Sequence, residues 1–189
     1  MSSAAVFPEL LETERLTVRR YTPADANSIF ELVEKNRDRL LEAFPGIAKD
    51  VSTVEAAKSF TLGKTEEWTA GKGHCYGIWL RSSQRQIGQI QVKNIVWDVP
   101  SAELSYFIGS SFQRQGFATE AIRAVLALTL NRLEFTRIFV RIVPTNHESL
   151  KLATKLGFQH EGLHRSAFRC GSGNLHDVHY FSLLRDDYR

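Results

Sequence analysis

The stretch that decides the fold is AELSYFIGSSFQRQGFAT, residues 102–119. It opens with an apolar segment that predicts a strand, continues through a short polar loop, and leads into a long helical pattern from Phe117. The first backbone N–H groups of a helix lack intrahelical partners, and the helix dipole places partial positive charge there. Gly116 and Ala118 are small enough to let the main chain approach a phosphate closely. The stretch therefore predicts an anion site, suited to a pyrophosphate and built mostly from main chain.

These residues alone do not decide whether the ligand of this site is a nucleotide, a flavin or coenzyme A. The stretch has no Gly-Lys-Ser/Thr as in a P-loop, and only Gly116 fits the dinucleotide-binding glycine pattern. An ordinary turn from strand to helix is the alternative without a ligand.

Composition narrows the class of protein. The 189 residues suffice for one domain with a full core, and 43% hydrophobic and 24% charged residues are typical of a globular protein. No window approaches about 18 consecutive apolar residues, so we expect no membrane span. The N-terminal residues lack the pattern of a signal peptide, which predicts a cytoplasmic location. A net charge of +3 is too small to indicate direct nucleic-acid binding.

The cysteine and histidine spacing predicts neither a disulfide nor a metal site. Cys75 and Cys170 are far apart and form no CxxC pair. His176 and His179 are three residues apart in a predicted strand, which places them on opposite faces.

The hydrophobic pattern predicts alternating strands and helices. A helical turn around residues 40–44 breaks at Pro45-Gly46, and the segment 137–143 is apolar on both sides, as in a buried central strand. The predicted strands cover residues 14–20, 74–80, 87–95, 102–108, 137–143, a segment from 158, and 177–184. One predicted helix begins after Thr22, and the others cover 54–70, 117–133 and 148–156.

A second motif, NHESLKLATKLGF at residues 146–158, follows the predicted strand 137–143. Together with Gln113-x-x-Gly116-x-Ala118 it resembles the two core motifs of the GNAT N-acetyltransferase superfamily, and the wider pattern is similar to its RimJ/RimL type. The resemblance covers roughly residues 10–188. It implies a single domain over residues 1–189, of α/β class, with a mixed twisted sheet of about seven strands, helices on both faces, and strands 102–108 and 137–143 splayed apart.

The resemblance also implies acetyl-CoA as co-substrate, with no metal. Its pantetheine arm would bind main chain near residues 107–109, its pyrophosphate would bind N–H groups of the following loop and helix start, and a second wall would come from residues 146 and 149. The implied binding residues are Phe107, Ile108, Gly109, Gln113, Arg114, Gln115, Gly116, Phe117, Ala118, Thr119, Asn146 and Ser149.

Acetyl transfer to an amine needs a neutral amine, a stabilised oxyanion and a protonated leaving group. Glu103 is the first candidate for the base, with a water chain or a solvated edge position as the alternatives. Ser149 is the candidate for assisting the thiolate, with helix capping as the alternative. His74 and His164 are reserve bases. Neither cysteine shows signs of activation, so we expect direct transfer without an acyl-enzyme.

The acceptor is the least determined part of the prediction. The RimJ/RimL resemblance implies the N-terminal α-amine of a protein, of the ribosomal-protein type, and we expect residues 36–68 and 164–170 to bind it. The alternatives are a small-molecule amine, such as an amino acid, polyamine or aminoglycoside, and a non-catalytic acyl-CoA-binding protein. Either a monomer or a homodimer is compatible with the sequence.

Overall fold

The protein was analysed as a computed structural model that describes residues 6–188. Its centre is one mixed sheet of eight strands in the order β1-β2-β3-β4-β5-β6-β8-β7. All neighbouring strands are antiparallel except β5 and β6. The strands are β1 Leu10–Glu12, β2 Leu16–Arg20, β3 His74–Leu80, β4 Gln86–Val96, β5 Ser101–Ile108, β6 Arg137–Ile142, β7 Gln159–Arg169 and β8 Leu175–Leu184.

Helices cover both faces of the sheet, as predicted, and each face has its own apolar cluster. Tyr21, Trp79 and Phe107 pack against the first four helices, and residues such as Ile90 and Val140 belong to a second cluster with the last two. The helices are α1 Ala26–Glu34, α2 Arg37–Ala43, α3 Pro45–Asp50, α4 Val54–Thr69, α5 Phe117–Leu126 with a π-helical extension Ala127–Arg132, and α6 His147–Lys155. None of these described helices has the length and apolarity needed to cross a membrane.

Local sequence chemistry explains several boundaries. The Thr53 hydroxyl accepts a hydrogen bond from the Ala56 N–H at 3.1 Å and caps α4. Pro45 occupies the first turn of α3, where its missing N–H costs nothing. The break between α2 and α3 lies at Phe44, which has non-helical φ and ψ, one residue before the predicted break at Pro45-Gly46.

The sheet has one strand more than predicted. The additional strand is β1, three residues long, which pairs antiparallel with β2 at the sheet edge. A three-residue edge strand carries too little alternation to be recognised from the sequence, because its pairing with β2 defines it.

Candidate active site

The two parallel strands β5 and β6 separate along their length, as predicted. Residues 101–103 of β5 pair with residues 137–139 of β6, whereas residues 104–108 pair only with β4 on the other side. The edge of β5 that faces β6 is therefore open from Leu104 onward. An open strand edge offers main-chain donors and acceptors to an extended ligand.

A cavity of about 630 Å³ lies at this separation. Its walls come from α2 to α4, from β4 to β6, from α6 and from the β7–β8 pair. The volume is in the range of small-ligand sites. Of the predicted site residues, Glu103, Asn146 and Ser149 line it together.

Glu103 is a buried carboxylate, only 4% exposed, and is not a solvated edge residue. Its Oε1 accepts a hydrogen bond from Arg141 Nε at 3.1 Å and lies 3.5 Å from Lys93 Nζ. Its Oε2 accepts from Asn94 Nδ2 at 2.7 Å. Burial alone would lower the pKa of Arg141, but the hydrogen bond to Glu103 and the charge of Glu103 outweigh it, so the pKa is raised. The Glu103 carboxylate therefore helps to hold the Arg141 guanidinium charged at the cavity wall.

Ser149 also lines the cavity and lies near a tyrosine that the sequence reasoning missed. The Ser149 N–H donates to Asn146 Oδ1 at 3.1 Å, so Asn146 caps α6, and the Ser149 hydroxyl lies near enough to the Tyr106 hydroxyl to influence its pKa. Burial raises the pKa of Tyr106, and the nearby Ser149 hydroxyl only partly offsets this. Strand alternation places Tyr106 on the opposite face of β5 from Glu103. The sequence offers no local signal for this contact, because Tyr106 and Ser149 lie on different elements that only folding brings together.

The loop before α5, together with the first turn of that helix, forms an exposed N-terminus outside the cavity. We call residues 113–119 the phosphate loop. Gly116 is the N-cap of α5 with φ of +82°, a left-handed conformation that favours glycine. Among the described residues, the backbone N–H groups of residues 114–119 have no main-chain partner. Arg114, 84% exposed on its side chain, lies 4.0 Å from Glu148 at the start of α6.

The predicted pantetheine segment lies next to the cavity rather than in its lining. Phe107 and Ile108 are buried, and the Gly109 N–H donates to the Ile87 carbonyl at 2.8 Å. The Ile108 carbonyl is already occupied, because Arg39 Nη2 donates to it at 2.7 Å. This contact leaves fewer free main-chain groups for a ligand than the sequence predicts at residues 107–109.

The reserve histidines and the cysteines lie away from the proposed chemistry. His74 stacks on Phe7 with ring centroids 3.7 Å apart, and burial lowers the pKa of His74 to about 4. His164 stacks on Tyr180 at 3.8 Å, and neither histidine lines the cavity. Burial raises the pKa of the Cys75 thiol to about 12, which removes it as a nucleophile.

Comparisons with known proteins agree with this architecture. The acetyltransferase (GNAT) domain family matches residues 15–159. The uncharacterized N-acetyltransferase p20 of Bacillus licheniformis is 28% identical over 183 residues, covering 95% of this chain and 98% of that protein. The ribosomal protein uS5-alanine N-acetyltransferase of Escherichia coli is 26% identical over 154 residues, covering 80% and 79%.

A solved structure shows the same fold. The RimL ribosomal L7/L12 alpha-N-protein acetyltransferase in complex with coenzyme A superimposes with a TM-score of 0.84 at 21% identity, covering 93% of this chain and 98% of that one. The family match extends over most of the chain and includes both sequence motifs. The protein therefore belongs to the GNAT acetyltransferase family and is an N-acetyltransferase that uses acetyl-CoA.

Proposed function

We propose that this protein, acting as a single domain, transfers acetyl directly from acetyl-CoA to the N-terminal α-amine of a protein. The observation that carries the proposal is the cavity at the separation of β5 and β6, which both Glu103 and Ser149 line. Relatives named as ribosomal-protein N-acetyltransferases support an acceptor of the ribosomal-protein type.

Acetyl-CoA would bind across the open end of the sheet. The unpaired N–H groups of the phosphate loop would bind the pyrophosphate, and Arg114 supplies a nearby positive charge. The pantetheine arm would follow the open edge of β5 into the cavity, with Asn146 and Ser149 on the facing wall. A backbone N–H at residue 107 or 108 would stabilise the oxyanion.

Glu103 would act as the base for the incoming amine. The amine nitrogen attacks the thioester carbonyl carbon, the new N–C bond forms, and the nitrogen loses a proton to Glu103 directly or through water. An α-amine has a reference pKa near 7.7–8.0, so a carboxylate held in place suffices as acceptor. Arg141 and Asn94 fix both carboxylate oxygens, so they would be positioning residues.

The Tyr106–Ser149 hydroxyl pair would assist the leaving group. When the C–S bond breaks, the CoA sulfur carries the electron pair and needs a proton or a hydrogen bond. Tyr106 keeps its proton at neutral pH, since burial raises a pKa that is already well above 7, and both Tyr106 and Ser149 line the cavity. This gives Ser149 a function besides its position in the first turn of α6.

The charges of the cavity favour an α-amine over a polycationic small molecule. Four basic side chains line it against three acidic ones. A polyamine or an aminoglycoside would meet an excess of like charge there, whereas a peptide N-terminus brings a single amine. The basic residues are Lys64, Lys72, Lys93 and Arg141, and the acidic residues are Asp50, Glu67 and Glu103.

A pair of matched carboxylate variants tests the base. Glu103→Gln should lower kcat by about 100-fold or more. Glu67→Gln is the control, because Glu67 lines the same cavity and, within residues 6–188, its side chain pairs only with Lys64. Equal kcat values for Glu103→Gln and the unchanged protein would exclude Glu103 as the base.

The acceptor class is tested with matched peptides. We expect turnover of a short peptide with a free α-amine, and none when the same peptide is blocked at its N-terminus and carries a lysine. Spermidine and an aminoglycoside complete the panel. Turnover of the small amines with no turnover of any free peptide N-terminus would refute the proposed acceptor.

A further inference from the structure

The tip of the β7–β8 hairpin packs tightly on α2, away from Glu103 and Ser149. The Gly171 N–H donates to the Leu41 carbonyl at 2.9 Å. A Cβ atom at Gly171 would lie only 2.5 Å from that carbonyl oxygen, so the two backbones can approach this closely only with glycine. The contact therefore fixes side chains of α2 against those of the hairpin.

Three potential metal ligands meet at this contact. A carboxylate oxygen of Glu42, Sγ of Cys170 and a ring nitrogen of His176 all lie within 4.8 Å of one another. The pairing of Phe168 with His176 and strand alternation place Cys170 on the same sheet face as His176. Cys170 is 3% exposed, His176 is half-buried and Glu42 is exposed.

These side chains are otherwise almost unengaged. Within residues 6–188, the side chains of Glu42 and His176 make no hydrogen bond or ion pair, and the Cys170 sulfur contacts Ser172 Oγ at 2.9 Å. Such a set would supply one thiolate, one carboxylate and one neutral imidazole, with two negative charges in total. That charge and ligand softness match a zinc ion.

We propose that Glu42, Cys170 and His176 bind a Zn²⁺ ion, with a fourth position for water. Zinc bonds of about 2.0–2.3 Å in a tetrahedron place ligand atoms about 3.3–3.8 Å apart, so side-chain adjustments of about an ångström close the site. The sequence spacing predicted no metal, because Glu42 comes from a distant helix and only folding brings it to the hairpin.

The ion would hold one wall of the acceptor cavity in place. Ala43 and Phe44 directly follow Glu42, and Phe168 precedes Cys170 by two residues; all three line the cavity. Zinc would therefore tie α2 to the hairpin next to the proposed acceptor. The site takes no part in acetyl transfer and stands independently of the proposed function.

Co²⁺ titration of the full-length, metal-stripped protein tests the site. A thiolate ligand produces a sulfur-to-cobalt charge-transfer absorption, and Zn²⁺ should displace the cobalt and abolish it. Cys170→Ser should remove this absorption. Glu42→Gln and His176→Gln should each weaken Zn²⁺ binding at least about tenfold. Removing a residue that only hydrogen-bonds to a metal ligand already costs about that much, and these two residues are proposed as ligands themselves.

Controls separate the proposed site from unrelated metal binding. Cys75→Ala removes the other thiol and should leave the absorption unchanged, and Glu42→Gln keeps an exposed helix position folded. Zn²⁺ should raise the melting temperature of the unchanged protein and of Cys75→Ala, but not of Cys170→Ser. No charge-transfer absorption in the unchanged protein, or its persistence in Cys170→Ser, would overturn the proposal.

Discussion

Replacing His74 should remove part of the acid sensitivity of the fold. The imidazole stacks on Phe7 and contacts the Trp68 ring edge to face, with ring centroids 4.8 Å apart, and its buried Nδ1 has no hydrogen-bond partner in the part of the chain that the structure describes. Burial lowers its pKa from 6.5 to about 4. The unfolded chain therefore binds the proton more readily, and stability falls as the pH drops through 6.5 toward about 4.

The size of the effect follows from the two pKa values. Linkage lowers the free energy of unfolding by about 2 kcal/mol at about pH 5 relative to about pH 8, and by about 3 kcal/mol below the folded-state pKa. For a chain of this length, 2 kcal/mol corresponds to a melting temperature lower by about 4–8 °C. His74→Phe keeps an aromatic ring between Phe7 and Trp68 and cannot titrate, so this share of the acid loss should disappear.

Urea unfolding at the two pH values measures the prediction. Carboxylates titrate in both proteins. Their effect therefore cancels when the acid-induced loss of unfolding free energy of His74→Phe is subtracted from that of the unchanged protein. His147→Phe controls for substituting a histidine, because His147 is exposed at the start of α6. An equal acid loss in His74→Phe and in the unchanged protein would refute the reasoning.

Three further substitutions probe the cofactor site. Gly116→Glu should abolish acetyl-CoA binding in calorimetry, whereas Gly63→Glu, on an open helix surface, should retain it; equal affinities would disprove the phosphate loop. Tyr106→Phe should lower kcat by about 10- to 100-fold with little change in the KM for acetyl-CoA, because it removes only the proposed proton donor; unchanged kcat in a steady-state assay would exclude that role. Arg39→Met frees the Ile108 carbonyl for the ligand and should lower the KM for acetyl-CoA more than it changes kcat; an unchanged KM would show that this carbonyl takes no part in binding.

The sequence predicted the parts of the fold that depend on local pattern. The hydrophobic pattern located β2 to β8 within a few residues, and the predicted helix 54–70 matches α4 to within one residue at each end. It could not locate contacts between distant segments. The partners of Glu103 are a clear case: Asn94 and Arg141 come from two strands on either side of β5, and only the sheet order places them together.

The same limit explains the missed residues of the site. The sequence places Ser149 at the start of a helix, but Tyr106, which lies near it in the fold, belongs to a strand 43 residues earlier in the chain. Arg39 is similar, because nothing in its local sequence indicates that its guanidinium reaches the Ile108 carbonyl across the domain. Local signals identify which residues are chemically able to act, and tertiary packing decides which of them meet.

The environment of Glu103 separates a structural from a catalytic role. A purely structural ion pair predicts that Glu103→Gln destabilises the fold, because Arg141 is left partly buried without its counter-charge; breaking such a pair costs about 3–5 kcal/mol when fully buried. Arg141 and Lys93 are each about one-third exposed on their side chains, so solvent reduces that cost. A base at this position instead predicts a large loss of kcat in a variant that remains folded. Measuring both the free energy of unfolding and kcat of Glu103→Gln therefore separates the two roles.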